Sequence, residues 1–255
     1  MRFALGIEYD GTGYFGWQRL REGPTLQGAV ESALSRVADR SIDVVCAGRT
    51  DAGVHARCQV VHFDCDVERS DRAWVLGCNS LLPGAIAVLW ACRVGMEFHA
   101  RYSAHARRYR YIILNRPVRS ALTSRYVTWE RVPLDIEAMR RAAETLQGRH
   151  DFSAFRSAAC QAKSAVREVR EILITREGDR VIVEIESNAF LHHMVRNIVG
   201  SLLPIGRGRQ SPEWIAAILD SRDRTRAGPT APATGLTFIG PRYPAGFMLP
   251  SEVSL

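Results

Sequence analysis

Residues 47–56 read Ala-Gly-Arg-Thr-Asp-Ala-Gly-Val-His-Ala and set a basic and an acidic side chain two residues apart, bracketed by glycines. Gly48 and Gly53 suit tight or positive-φ backbone, so the segment is a shaped connection that holds Arg49 and Asp51 side by side. A carboxylate on a rigid connection beside a sheet is suited to act as nucleophile or as general base. The same pair on an ordinary surface turn would be a solvated ion pair contributing little.

Two other places carry candidate chemistry. Gly11-Thr-Gly-Tyr-Phe-Gly16 has the spacing of a dinucleotide-binding turn, but such a turn must open a helix, and helical periodicity begins only after Pro24. A glycine-rich loop bearing Tyr14, Phe15, Trp17 and Arg19 fits stacking on nucleic acid, or else coverage of a sheet end. Residues 190–205 give an apolar helical stripe, with His193, Arg196, Asn197 and Gly200 on another face. Adjacent His192 and His193 would diverge by about 100° on such a helix and are badly placed to share a metal.

The elements around the loop follow from periodicity. A strand over 2–9, a helix over 26–38 capped by Thr25, strands over 43–46 and 59–65, a helix capped by Ser70 and a strand over 86–94 give the order β-α-β-β-α-β. That order is a split βαβ unit of α+β, ferredoxin-like type. The pattern lapses over 95–106, and the division falls there, into 1–97 and 98–255.

The second half opens with Arg107-Arg-Tyr-Arg-Tyr-Ile-Ile-Leu, a period-two strand with Tyr109 and Tyr111 on one face and Arg108 and Arg110 on the other. Arginine interleaved with aromatic residues fits a nucleic-acid surface, and it also fits a solubilised edge strand. Residues 116–133 read as a loop, 136–147 as a helix ended by Gly148, and 150–155 as a turn. Strands over 166–175 and 180–186 form a hairpin about Gly178. A short helix with Ser211 as cap and Pro212 at its start follows, then a last strand ending at 239.

The 255 residues carry a formal charge of +7, which favours a polyanionic partner. Lys163 is the one lysine among many arginines, a bias that GC-rich coding produces whatever the function. A chain of this size buries roughly 70–75% of its unfolded surface and needs no covalent staple. The six cysteines show no Cys-x-x-Cys pair and read as small buried apolar residues of a reducing compartment. Met1-Arg2 leads straight into a strand, so no secretory leader is expected, and the apolar run 81–92 is broken by Pro83-Gly84 and too short for a membrane span. Cytoplasm is the expected location.

Taken together, Gly6-Ile-Glu-Tyr-Asp-Gly11, Gly16-Trp-Gln-Arg19, residues 47–55, Phe98-His-Ala-Arg101, Arg107–Tyr111, Asn188-Ala-Phe-Leu-His-His-Met-Val-Arg-Asn-Ile-Val-Gly200 and Gly235-Leu236 resemble the tRNA pseudouridine synthase A family. The matches run in family order over nearly the whole chain. The resemblance implies the pseudouridine synthase fold, two ferredoxin-like α+β halves sharing a continuous mixed sheet with a central basic cleft. It implies an isomerase, free of metal and nucleotide cofactors, that converts uridine to pseudouridine at positions 38 to 40 of the tRNA anticodon arm. It further implies a homodimer in which one tRNA touches both subunits.

By the same resemblance Asp51 is the catalytic aspartate and Arg196 its charge partner. Tyr109 is the tyrosine against the target base, Arg49 serves the flipped nucleotide, and Leu236 lines the base pocket. Extruding a stem uridine costs a few kcal/mol of pairing and stacking. Ala231-Pro-Ala stands where some members carry a lysine, so no basic contact is expected there. A non-catalytic RNA-binding protein is the alternative from another class, although such a protein gains nothing from a carboxylate facing phosphate. A dinucleotide-dependent oxidoreductase is a distant third.

Overall fold

The computed structural model describes residues 1–254. The chain forms two compact units, Met1–Arg107 with the residues from Thr237 onward, and Arg108–Leu236. Both are mixed α and β.

The first unit begins with β1 (Arg2–Tyr9), α1 (Leu26–Ala38), β2 (Val45–Cys46), β3 (His55–Asp64), α2 (Asp71–Asn79) and β4 (Ile86–Val94), in the order the sequence predicts. Thr25 and Ser70 cap the helices as expected, accepting from the backbone N–H of Gly28 and Ala73. β1 lies between β4 and β3 and pairs antiparallel with both, and β2 pairs with β3. Phe3 and Phe63 meet Trp74 of α2, at 5.4 and 5.1 Å between ring centroids. Ala4, Cys58 and Val60 pack instead with Phe98, Ala100 and Ala104. With consecutive residues of β1 buried in different clusters, the strand reads as a nearly continuous apolar run. The segment 95–106, where periodicity lapses, is part of this unit's core.

The second unit contains β5 (Ala106–Asn115), β6 (Thr128–Glu130), α3 (Ile136–Glu144), β7 (Gly148–Asp151), β8 (Val166–Glu177), β9 (Arg180–Ser187), α4 (Met194–Gly206) and α5 (Trp214–Ser221). The strand order is β5-β9-β8-β7, with β6 parallel to β5. β8 and β9 form the expected hairpin, and Gly178 turns it at a φ of +56°. β6 and β7 were not legible in the sequence. Each is too short for an alternation of its own, and β7 exists because 148–151 pair antiparallel with 166–169. α4 starts later than expected, at Met194, with His193 in the left-handed region at its N-terminus. α5 starts at Trp214, so Ser211 and Pro212 form the turn before it.

The chain returns to the first unit through β10 (Leu236–Arg242), where Thr237 and Phe238 pair parallel with His55 and Ala56 of β3. Tyr243, Leu249 and Val253 then join the Phe98 cluster, and the Tyr243 phenol donates to the Ala100 carbonyl at 2.6 Å. All six cysteines are free thiols; burial pushes Cys46 and Cys58 up to about 12 and Cys78 and Cys92 up to about 11. No helix of the described residues is long and apolar enough to cross a membrane.

Candidate active site

Arg49 and Asp51 sit on the connection between β2 and β3, and its backbone is held from several sides within the first unit. The Ala47 N–H donates to Val60 O at 2.8 Å, and Ala47 O accepts from Arg107 Nη2 at 3.2 Å. Gly48 O accepts from the Gln59 amide at 2.5 Å. The Thr50 hydroxyl meets the Tyr9 phenol at 2.8 Å, and Thr50 O accepts from the Trp17 N–H at 3.0 Å. Asp51 O accepts from the Val54 N–H at 3.2 Å and closes the turn. Thr50 is buried, whereas Arg49 is exposed and Asp51 half-buried. The buried threonine thus anchors the loop between an exposed and a half-buried charged residue.

The glycine-rich segment contributes to this packing. No helix opens at Gly11–Gly16, and Gly11 N–H donates to His55 Nδ1 at 3.1 Å. Gly16 has a φ of +89°, and a methyl group there would lie 2.7 Å from Thr50 O and 3.0 Å from the Asp51 carbonyl carbon. A side chain at 16 would push the Asp51 loop outward. Trp17 is buried against Tyr9, 5.9 Å between ring centroids, and so covers the sheet end and is no stacking platform. Arg19 is engaged with Glu31 at 2.9 Å and Asp43 at 3.5 Å.

In the second unit, Tyr109 and Tyr111 are both buried on β5. The Tyr109 ring meets Phe190 edge-on at 5.0 Å. The Tyr111 hydroxyl lies 2.5 Å from the Thr128 hydroxyl and donates to Pro232 O at 2.8 Å. Burial raises the Tyr111 phenol to about 12, against the opposing pull of Thr128 and of Arg196. Arg108 and Arg110 each donate to Glu184 of β9 at 2.7 Å. Burial would raise that carboxyl, but the two guanidiniums outweigh it and hold Glu184 below its usual range. Arg108 and Arg110 are therefore committed to a cross-strand cluster, and β5, paired with both β6 and β9, is not an edge strand in need of charge.

Arg196 lies on the first turns of α4, and its Nε donates to Ala231 O at 2.8 Å. The supposed polar seam of this helix is largely buried. Asn197 donates to Phe155 O at 2.8 Å and accepts from Thr230 and Arg224. Gly200 lies against the Pro229 carbonyl, and Ser201 accepts from the Gly228 N–H at 2.9 Å. Residues 228–232 thus form a strap along α4, and Ala231 and Pro232 hold Arg196 and Tyr111. Leu236, buried at the head of β10, follows the Ala233–Gly235 turn, and Gly235 packs against the Tyr111 ring. His192 and His193 precede the helix proper, and their rings are 4.0 Å apart, closer than helical spacing predicts. A cavity of about 270 Å³ beside Arg119, Thr128, Trp129 and Thr234 includes none of the expected site residues.

Sequence reasoning missed the supports Tyr9, Thr50, Gln59 and Arg107. A signal existed for Gln59, a lone amide in the apolar run of β3, where it is fully buried. Tyr9 gave none, because it closes an apolar strand as aromatic residues commonly do.

A family model described as tRNA pseudouridine synthase matches residues 6–103 and 142–244. Asp51, Arg49, Arg196 and Leu236 lie in the matched segments, whereas Tyr109 falls between them. The chain is 57% identical to tRNA pseudouridine synthase A of Xylella fastidiosa (strain M12) over 256 residues, covering 100% of both chains. The tRNA pseudouridine synthase A of Xanthomonas oryzae pv. oryzae (strain PXO99A) matches with the same identity and coverage. A solved chain described as "Crystal Structure of a Cbf5-Nop10-Gar1 Complex" aligns with 79% of this chain and 45% of its own, at 12% identity and a TM-score of 0.36. That likeness is too distant to inform the fold.

Proposed function

Since the chain belongs to the tRNA pseudouridine synthase family, we propose that it isomerises uridine to pseudouridine at positions 38 to 40 of the tRNA anticodon arm, with Asp51 as the catalytic nucleophile or base. The observation that carries this reading is the Asp51 loop, whose backbone is tied at Ala47, Gly48, Thr50 and Asp51 while the carboxylate stays half-buried. A carboxylate fixed in place loses little freedom on reaching the transition state.

Pseudouridine formation breaks the bond between the ribose and nitrogen 1 of uracil, turns the base, and joins carbon 5 to the same ribose carbon. Attack of Asp51 on carbon 6 of the base, attack on carbon 1′ of the ribose, and removal of the 2′ proton all start from the ionised carboxylate. Arg196 keeps it ionised in this reading, and the bond from its Nε to Ala231 supports that role by orienting the guanidinium. Tyr109 stacks on the target base and its hydroxyl serves late proton transfer. Exposed Arg49 holds the extruded nucleotide or fills its place, and Leu236 lines the base pocket. The net charge of +7 supports an RNA partner. The same reading makes the enzyme a homodimer without metal or nucleotide cofactor, working in the cytoplasm, where free thiols are at home.

The test is release of tritium from carbon 5 of uracil in labelled tRNA, by wild type and by Asp51→Asn. Wild type releases the label and Asp51→Asn does not. Release by the variant at the wild-type rate removes Asp51 from the mechanism. Binding of tRNA by wild type without any release favours a non-catalytic RNA-binding protein.

A further inference from the structure

Two side-chain contacts hold the loop on either side of Arg49. Gln59, fully buried on β3, donates to Gly48 O at 2.5 Å. Tyr9, buried at the end of β1, reaches the Thr50 hydroxyl at 2.8 Å. Arg49 is thus the one loop residue between the two held positions. Burial pushes the Tyr9 phenol well up, so it remains protonated and can hydrogen bond as a neutral group.

We propose that Tyr9 and Gln59 are positioning residues, which set the backbone of residues 48 to 50 and so aim the Asp51 carboxylate and the Arg49 guanidinium. The inference rests on Asp51 as the catalytic group. Thr50 is the pivot. Its side chain is drawn inward by Tyr9 and its carbonyl is held by the Trp17 N–H at 3.0 Å, while the missing side chain of Gly16 leaves the next peptide room to sit there. With Thr50 held at its side chain and its carbonyl, the direction in which the chain enters Asp51 is set. Without the Tyr9 hydroxyl, the buried Thr50 hydroxyl must find another partner, and turning toward one rotates the peptide that leads into Asp51.

The experiment compares Tyr9→Phe, Gln59→Leu, Thr50→Val and Thr50→Ser for kcat and KM in tritium release, tRNA affinity by filter binding, and melting temperature. Tyr9→Phe and Thr50→Val are expected to lower kcat on the order of 10²-fold, as a small misplacement of a reacting group does, while KM and tRNA affinity hold. Thr50→Ser keeps the hydroxyl and restores kcat. The Tyr9→Phe/Thr50→Val double variant loses no more than either single one, because both break the same contact. A lowered melting temperature with wild-type kcat makes these contacts merely structural and overturns the proposal, as does a loss confined to KM. Should Tyr9→Phe fold poorly, the contrast of Thr50→Val with Thr50→Ser carries the test. Asp51→Asn run alongside separates the two readings: turnover by it sinks the role of Asp51, whereas a silent Asp51→Asn beside a fully active Tyr9→Phe sinks only the positioning.

Discussion

Arg196 and Ala231 are hydrogen bonded to each other twice, from the arginine Nε to the alanine carbonyl at 2.8 Å and from the alanine N–H to the arginine carbonyl at 3.1 Å. The reciprocal pair anchors the strap to α4 and leaves the guanidinium little rotational choice. A residue with no charge of its own thereby sets the direction of one that has.

Arg196→Ala is expected to lose turnover while tRNA still binds. Removing one partner of a buried charge pair costs about 3–5 kcal/mol, which corresponds to a fall in kcat of roughly 10²- to 10⁴-fold. Arg196→Lys keeps the charge but has no Nε fork for Ala231, and its kcat falls between the two. Tritium release and filter binding on the same preparations decide it, and near-normal turnover by Arg196→Ala would take the arginine out of the mechanism.

Tyr109→Phe divides the two roles proposed for the ring. The edge-on contact with Phe190 survives, and so does stacking on a base. Proton transfer by a positioned side chain contributes about 10²- to 10⁴-fold, so a kcat reduced on that order with unchanged tRNA affinity assigns the hydroxyl a chemical part. Unchanged kcat confines Tyr109 to stacking.

Gly200→Ala tests the strap. Alanine favours a helix interior by about 1 kcal/mol over glycine, but here its methyl group would overlap the Pro229 carbonyl. Overpacking costs about 1–3 kcal/mol, so a lower melting temperature is expected in spite of the helix propensity. Because the displaced strap carries Ala231, kcat falls as well. A variant as stable and active as wild type would show that the strap is free to yield.

His62 gives the first unit a pH dependence. Burial first, then the charge of Arg2 and the neighbouring His99, lower its pKa to about 4, while Asp64 opposes them. Its Nδ1 accepts from the Ala100 N–H at 3.1 Å, a bond that protonation destroys. An unfolded histidine titrates near 6.5, so between about pH 6.5 and about pH 4 the unfolded chain takes up a proton that the folded chain refuses. Stability therefore falls as the pH falls through that window. Denaturation midpoints measured across it should decline less steeply in His62→Asn, which can still accept from Ala100. Equal slopes would refute the assignment.

The sequence by itself determined the order of the main helices and strands, the caps at Thr25 and Ser70, and the loop bearing Arg49 and Asp51. These are local matters: periodicity reports which face is buried, and glycine reports where the backbone must turn. The family motifs were equally legible, because chemistry demands particular residues in a particular order. Only the tertiary structure decided that Gly16 makes room for the Asp51 loop, that Trp17 is core, and that β6 and β7 are strands. It also decided that the supposed polar face of α4 lies under residues 228–232. Each of these depends on a partner far away in the chain, and no local pattern records which distant backbone will come to lie against a given residue. The Asp51 loop shows both sides of this. Its acid and base can be read directly, but the Tyr9 and Gln59 contacts that aim them appear only when β1 and β3 are laid side by side.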